Sequence, residues 1–494
     1  MKVKAKHVAT AYAVITAMEK GESIPVDKIS FAANVLFQAA MFDESRFIVE
    51  RLITMMKRFL ENRDIDRALL LETLLYRDCI RLIETEENHR YWFNQWAPLF
   101  IESAHSRVEL LGLPKPTIDG GDIGFVLHSG LTILGHTTVL LGFLGQLVKR
   151  RDPRRVLVFA LDAIGSDLAK KLDDLSIGFA APNSSVEEAS KRKISPTERI
   201  HWLRAAFETN HLGVAVWIST FQWAHYAFGL GLARRQVFWA MKFHSVDLGK
   251  EVVHACFGHP SEYSRSYFEK SWTVLPWPVS ANYLHLEDRS TEAKSIRDEF
   301  RCEVLFGTLA REEKLDQAEF ASAVGAILEE NPKAHYLYTG RGKSAVLERE
   351  FKMRNLTNRV HFVGWVDTAI YSNVLDIFLE TFPLGCAITG FQSMSNGRPF
   401  ISMWRDGTIS RELHSQPESL LDEDPLTFHI TMNDRKEGLC VATSSGQYVR
   451  YASFLARNPH ASIIVGERCR QFVMDYGDGE SLLADRLIAL IDAD

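Results

Sequence analysis

Cysteine is scarce and unpaired in this sequence: six in 494 residues (Cys79, Cys256, Cys302, Cys386, Cys440 and Cys469), with no CxxC spacing. At this chain length that scatter excludes a disulfide framework and a zinc-type cysteine cluster. It predicts reduced thiols in a cytoplasmic protein. A dominant charge is lacking too. Lys and Arg number 57 against 63 Asp and Glu, a formal net charge of −6, which leaves out the basic footprint of a nucleic-acid binder. The N-terminal stretch has no long apolar run of the signal-peptide kind. Val8, Tyr12, Ile15 and Met18 recur there at helical spacing instead. What is present, 46% hydrophobic and 11% aromatic residues, is ordinary globular composition, enough for the cores of two to three domains.

Charged side chains are absent from residues 123–148 and 209–233. Either stretch is long enough to span a bilayer. Both contain several glycines and two histidines, which break a uniform apolar face. They read as buried strand–loop–helix units, because parallel strands and their covering helices are nearly continuously apolar.

Residues 1–115 read as all-helical, with helices expected at 31–42, 45–60, 65–84 and 91–111 from apolar residues at i, i+3 and i+4. Asp43 and Asp64 stand where N-caps belong. The Pro/Gly-rich stretch 113–121 is a boundary. Beyond it, strands at 123–128, 155–161, 212–218 and 271–275, with a helix at 138–149, predict a parallel α/β domain over 120–295. A second α/β domain follows over 300–494. Its expected strands are 303–307, 335–339, 360–363, 377–380 and 399–403, and its expected helices are 316–330, 344–353 and 390–396. Residues 415–434 are polar and irregular, and a final helix is expected over 480–491, running back along the domain. Two such domains predict a cleft between them, with ligands at the carboxyl ends of the strands.

Three segments carry the chemistry. In 377–403 a strand, a Pro/Gly loop and a helix start follow one another, with Thr389-Gly390 at the helix N-terminus. Outward N–H groups and the helix dipole suit a diphosphate there. In 304–316 a strand ends at Gly307-Thr308, and Lys314 follows a short loop from which a lysine can reach a phosphate as a point charge. In 123–138 the pair Gly135-His136 opens a helix after the first strand. A histidine there can contact phosphate or act as a base.

Together these segments resemble the two-Rossmann-domain (GT-B) glycosyltransferases, in particular O-linked N-acetylglucosamine transferase and the bacterial cytoplasmic protein N-glycosyltransferases that modify adhesins. The likeness rests on Gly135-His136, on Phe306 through Lys314, on Phe382-Pro383-Leu384-Gly385 through Thr389-Gly390, and on the Gly397-Arg398-Pro399 turn. The segment 233–245, with Arg234, Arg235 and Gln236, is more weakly similar to the part ahead of the family's interlobe cleft.

The resemblance implies a GT-B fold with an N-terminal helical domain, an acceptor-side first lobe and a nucleotide-sugar-binding second lobe. It implies a metal-independent, inverting transfer of a hexose from a UDP-sugar to a protein side chain, with no cofactor beyond the donor. Two alternatives stand beside this: a GT-B enzyme acting on a polysaccharide or lipid-linked glycan, and a non-catalytic helical scaffold fused to a degenerate GT-B body. The implied catalytic residues are His136 and Lys314. The implied donor contacts are Thr308, Arg311, Lys314, Gly385, Thr389, Gly390 and Gln392. His136 is expected in the cleft facing Lys314 and Thr389, with His128 and His225 as alternative histidines. Gln392 departs from the family pattern: an Asp stands there in O-linked N-acetylglucosamine transferase and usually a Glu in retaining GT-B enzymes. Implied partners are a nucleotide-sugar donor and a protein or glycan acceptor, with no nucleic acid and no integral membrane segment.

Overall fold

The computed structural model describes residues 5–493 apart from 21, 23, 40, 81–91, 118–120, 134, 184, 192–193, 219, 242–245, 259–261, 268–269, 279–289, 387, 404–439 and 476–478. The polar stretch expected at 415–434 therefore lies outside the described residues. The chain divides into two compact units: Met1–Pro278 with Glu480–Asp494, and Val279–Gly479.

The first unit opens with helices α1 (Ala5–Glu19), α2 (Val26–Gln38), α3 (Phe42–Glu61), α4 (Ile65–Ile80) and α5 (Ala97–Leu111). In α1 the buried stripe is Ala11, Val14 and Ile15. Tyr12 is 40% exposed and donates to Glu44 Oε1 at 2.8 Å, so the apolar face is rotated from the one the spacing suggested. Asp64 does cap α4, accepting from the Arg67 N–H at 3.3 Å. Asp43 does not cap α3. The cap position lies two residues earlier, at Met41 without a side-chain cap, and Asp43 sits in the first turn, where its charge suits the dipole.

A parallel sheet follows: β1 (Ile123–Leu127), α6 (Gly135–Arg150), β2 (Val156–Ala160), α7 (Ser166–Asp174), β3 (Gly178–Ala180), α8 (Val186–Lys191), α9 (Pro196–Thr209), β4 (Val214–Ile218), α10 (Ala224–Gly229), β5 (Arg235–Ala240), β6 (Val252–Gly258), β7 (Ser264–Tyr267) and β8 (Lys270–Pro276). The strand order is β3-β2-β1-β4-β5-β6-β8-β7, parallel throughout except for the β7–β8 pair. Every residue of β1 and β4 is buried, as central strands covered on both faces must be. The helix α9 packs so closely that a Cβ on Gly124 would lie 2.3 Å from the Phe207 ring. The two charge-free stretches are thus β1–loop–α6 and β4–loop–α10. Among the described residues no helix is long and apolar enough to cross a membrane.

The second unit runs α11 (Ser290–Glu299), β9 (Val304–Thr308), α12 (Glu312–Leu315), α13 (Ala318–Glu330), β10 (Ala334–Tyr338), α14 (Ala345–Met353), β11 (Val360–Phe362), α15 (Thr368–Val374), β12 (Ile377–Leu379), α16 (Ile388–Ser395), β13 (Phe400–Met403), β14 (Cys440–Ala442), α17 (Ser445–Arg457) and α18 (Pro459–Asp475). Its parallel sheet has the order β11-β10-β9-β12-β13-β14. The last helix, α19 (Gly479–Asp492), seats on the first unit. Arg150 on α6 donates to Ser481 O at 2.8 Å, and Arg235 on β5 donates to Leu490 O at 2.6 Å.

One buried histidine makes the first unit acid-sensitive. His254 on β6 is 4% exposed, and its Nε2 accepts from the Leu248 N–H at 3.2 Å. Burial, with Lys270 adding to it and Asp247 opposing, pulls its pKa from 6.5 down to about 4. The unfolded chain therefore binds a proton that the folded one refuses. This contribution to stability is complete above pH ~6.5 and is lost as pH falls from there toward 4. The expected outcome is a thermal midpoint that drops over that window, with a flatter pH dependence in His254→Gln; equal slopes in the two proteins would refute it.

Candidate active site

In the second unit the loop after β9 and the loop after β12 meet. Lys314 lies on α12, and its ammonium donates to the Gly385 carbonyl in the loop that leads into α16. Thr339 braces the first loop, its hydroxyl accepting from Ala310 N–H at 2.9 Å and donating to Ala310 O at 3.0 Å. Glu312 accepts from the Arg341 N–H at 2.9 Å. A cation is thereby held beside a helix N-terminus, two elements that both favour an anion.

The buried Glu380, at the end of β12, shapes the second loop. It accepts from the Cys386 N–H at 3.1 Å and from the Ser402 hydroxyl. Cys386 is itself buried, and burial is the largest cause raising its thiol pKa. Its Sγ lies 3.3 Å from Thr381 Oγ1. That thiol is packing rather than a nucleophile.

The residues expected to contact a donor do not all reach the sheet edge. Thr308 is fully buried and donates to Leu379 O at 2.7 Å. It stitches β9 to β12 from inside the sheet, because successive side chains of a strand alternate faces. Thr389 stands within the first turn of α16, not ahead of it. Its hydroxyl donates to Leu309 O at 2.7 Å and lies 3.2 Å from Cys386 O, so its proton is engaged within the protein and the oxygen alone is left to accept. Arg311 caps α12 through its backbone, without a side-chain cap. Gly390 and Gln392 are buried in α16. Gln392 is 2% exposed, and its Oε1 has no hydrogen-bond partner among the described residues. A buried amide oxygen left without a donor is costly, which makes it a candidate for completion by a water or a ligand group.

In the first unit the three histidines separate. His136 lies in the first turn of α6 and is half-buried. His225 is fully buried. Its Nδ1 accepts from the Tyr226 N–H at 2.8 Å and its Nε2 meets the Glu72 carboxylate. Both ring nitrogens are spent inside the core, which removes His225 from the candidates. His128 follows β1 directly, and its Nδ1 is buried without a partner among the described residues. Its pKa is lowered, first by desolvation, against the raising influence of Asp162 and Glu72.

Sequence reasoning passed over Asp162, the residue just beyond the carboxyl end of β2. It accepts from the Ser129 hydroxyl at 2.7 Å, the Gly130 N–H at 3.1 Å and the Ala163 N–H at 2.7 Å. The available signal was an acidic residue directly after an apolar strand. Asn183 closes the group, donating to Asp162 O at 2.9 Å, with its own Oδ1 lacking a partner among the described residues.

Residues 303–428 match the family described as "Glycosyl transferases group 1". An O-GlcNAc transferase variant from Thermobaculum terrenum is similar over 99% of this chain and 98% of its own, at 14% identity and a TM-score of 0.52. WaaG, a glycosyltransferase involved in lipopolysaccharide biosynthesis, is similar over 75% of this chain and 100% of its own, at 12% identity and a TM-score of 0.50. The fold is GT-B. No curated protein sequence matches the chain. At these identities the likeness concerns the GT-B architecture: two Rossmann-like bodies, with a helical region ahead of the first. The profile match adds that the segment joining Lys314 to the α16 loop is of the glycosyltransferase group 1 kind.

Proposed function

We propose that the protein is an inverting glycosyltransferase that moves a hexose from a UDP-sugar to a protein side chain. The observation that carries the reading is the Lys314 ammonium docked on the loop entering α16, inside the segment that matches group 1 glycosyltransferases. In this reading the donor diphosphate takes the place of the Gly385 carbonyl as the partner of Lys314, with the N–H groups of the first turn of α16 beside it. Gln392 Oε1 accepts from a donor hydroxyl. The acceptor nucleophile forms a bond to the anomeric carbon as the bond from that carbon to the diphosphate breaks. The electron pair leaves with UDP, where Lys314 and the helix amides stabilise it without a metal. The acceptor proton passes to a general base, for which His136 is the candidate that the resemblance implies.

Gln392 favours inversion. A neutral amide cannot act as a carboxylate nucleophile or stabilise a cationic transition state as a charged group does. The protein acceptor is supported by the likeness, over nearly the whole of both chains, to a protein described as an O-GlcNAc transferase. A glycan acceptor is the second reading, favoured by the likeness to WaaG.

The test is UDP release on incubation with UDP-hexoses, followed by intact-mass gain on a co-expressed protein. Release without any protein gaining mass, but with a glycan extended, selects the second reading; no release from any sugar nucleotide overturns both. His136→Ala is expected to lower kcat by roughly 10²-fold, on the scale of a lost general base, while leaving donor KM nearly unchanged. A rise in donor KM alone would move His136 from base to donor contact.

A further inference from the structure

The helical region reaches the site edge of the first sheet through α4. Glu72 on α4 is fully buried. Its carboxylate accepts from the Trp96 indole N–H at 3.1 Å, from the Trp223 backbone N–H at 3.1 Å and from His225 Nε2. Since His225 Nδ1 is an acceptor, the ring is neutral with its proton on Nε2, and the carboxylate is held by three donors without a cation.

Trp223 is doubly tied to α4, for its indole also donates to Leu69 O at 3.0 Å. Those two bonds hold it in the left-handed region at φ +65°, a conformation uncommon for a bulky residue that the surroundings must impose. In that conformation the ring stands edge-on to His128 at 4.8 Å. The neighbouring Gln222 carbonyl hydrogen-bonds the His128 ring. Six residues earlier on α4, Asp66 accepts at 2.8 Å from both the N–H and the hydroxyl of Thr197 at the start of α9, the helix that carries Arg199.

We propose that Glu72 is a positioning residue: the helical region, through this carboxylate, fixes the 222–225 segment and thereby sets the place of His128 at the carboxyl edge of the first sheet, where an acceptor is handled. This rests on the glycosyltransferase reading for the role of the edge, but not for the clamp itself. The charged groups that influence His128 are Asp162 beyond β2, Glu72 on α4 and Arg199 on α9. The charge of Glu72 acts on the His128 ring whether or not it places the 222–225 segment, so positioning is read from turnover.

The experiment follows the ring carbon–proton resonance of His128 in the full-length protein against pH, assigned by its loss in His128→Gln. Two variants are compared with the parent, and turnover with UDP-hexose is measured on the same samples. Glu72→Gln keeps the volume and removes the charge, so the His128 midpoint is expected to fall. The kcat is expected to fall about 10- to 100-fold with donor KM unchanged, the cost of a misplaced group, and Glu72→Asp should restore part of it. Trp223→Phe keeps every charge and reduces the bulk packed against the His128 ring, so the desolvation that lowers its pKa is eased and the midpoint should rise. A fall in kcat at unchanged donor KM and unchanged melting temperature marks positioning, whereas a moved midpoint with kcat unchanged marks the carboxylate's charge alone and overturns it. A His128 midpoint and kcat unchanged in Glu72→Gln overturn the proposal. Should that variant fail to fold, Trp223→Phe decides it by the same two readouts. If the parent releases no UDP, the glycosyltransferase reading fails while the resonance still decides whether Glu72 acts on the His128 ring.

Discussion

Lys314→Ala is expected to slow transfer by roughly 10²–10³-fold, the scale of removing one preorganised electrostatic group. The reason is the timing of charge. Negative charge on the leaving diphosphate is largest as the bond to the sugar breaks, so a fixed ammonium contributes more in the transition state than with bound donor. The loss should therefore fall mainly on kcat. The ammonium is held in the absence of donor by a neutral carbonyl, that of Gly385, which a diphosphate outcompetes as a partner for a cation. Lys314→Arg is expected to recover only part of the rate, because a planar fork does not reproduce a point charge at that place. The assay is UDP release under saturating donor, with and without EDTA. Near-normal turnover in Lys314→Ala, or strict dependence of the parent on Mg²⁺, would falsify this assignment.

Gly466→Ala is expected to destabilise the second unit by roughly 2–3 kcal/mol through overpacking. Gly466 lies in α18, where an added Cβ would stand 2.0 Å from the Gly397 carbonyl oxygen, 2.9 Å from its carbon and 3.3 Å from Pro399 Cδ. None of these atoms belongs to a flexible side chain. Gly397 has φ +69° in the turn joining α16 to β13, so displacing it also disturbs the helix proposed to hold the donor. Alanine's better helix propensity offsets at most about 1 kcal/mol of this. Gly446→Ala in α17 is the control, since the nearest atom to its Cβ would be Ser444 Oγ at 3.9 Å. Gly466→Ala should lower the melting temperature by roughly 5–10 °C and weaken UDP binding, whereas Gly446→Ala should do neither. Equal melting temperatures for Gly466→Ala and the parent would show that the helix shifts without cost.

The parts of the fold that were legible are those whose signal is local. Strands β1, β2 and β4 and the strands β9 to β13 announced themselves as short apolar runs, and the helices α6, α13, α14, α16 and α19 by their own patterns, because burial on both faces leaves little choice of residue. Strand β5 escaped notice: Arg235 and Gln236 open it, and their polar bonds reach outward to α19 and back to Leu232 and Phe228. Strand β3, at the sheet edge and with no buried residue, had no apolar pattern to show. The α3 cap was misplaced by the attraction of Asp43, though backbone geometry rather than side-chain chemistry starts that helix.

The sequence by itself determined the class of the fold, the helical opening of the chain and the loops that bring Lys314 and the start of α16 to the carboxyl edge of the second sheet. Those follow from periodicity and turn chemistry, which act over a few residues. Only the tertiary structure decided which polar side chains are available. Thr308 turned inward and Thr389 spent its proton on Leu309 O. His225 was taken out of play by Glu72, 153 positions away, and Asp162 gathered its donors from the loop after β1 and from its own loop. A side chain's chemistry depends on what surrounds it, and those surroundings come from segments distant in the chain, whose meeting no local pattern records.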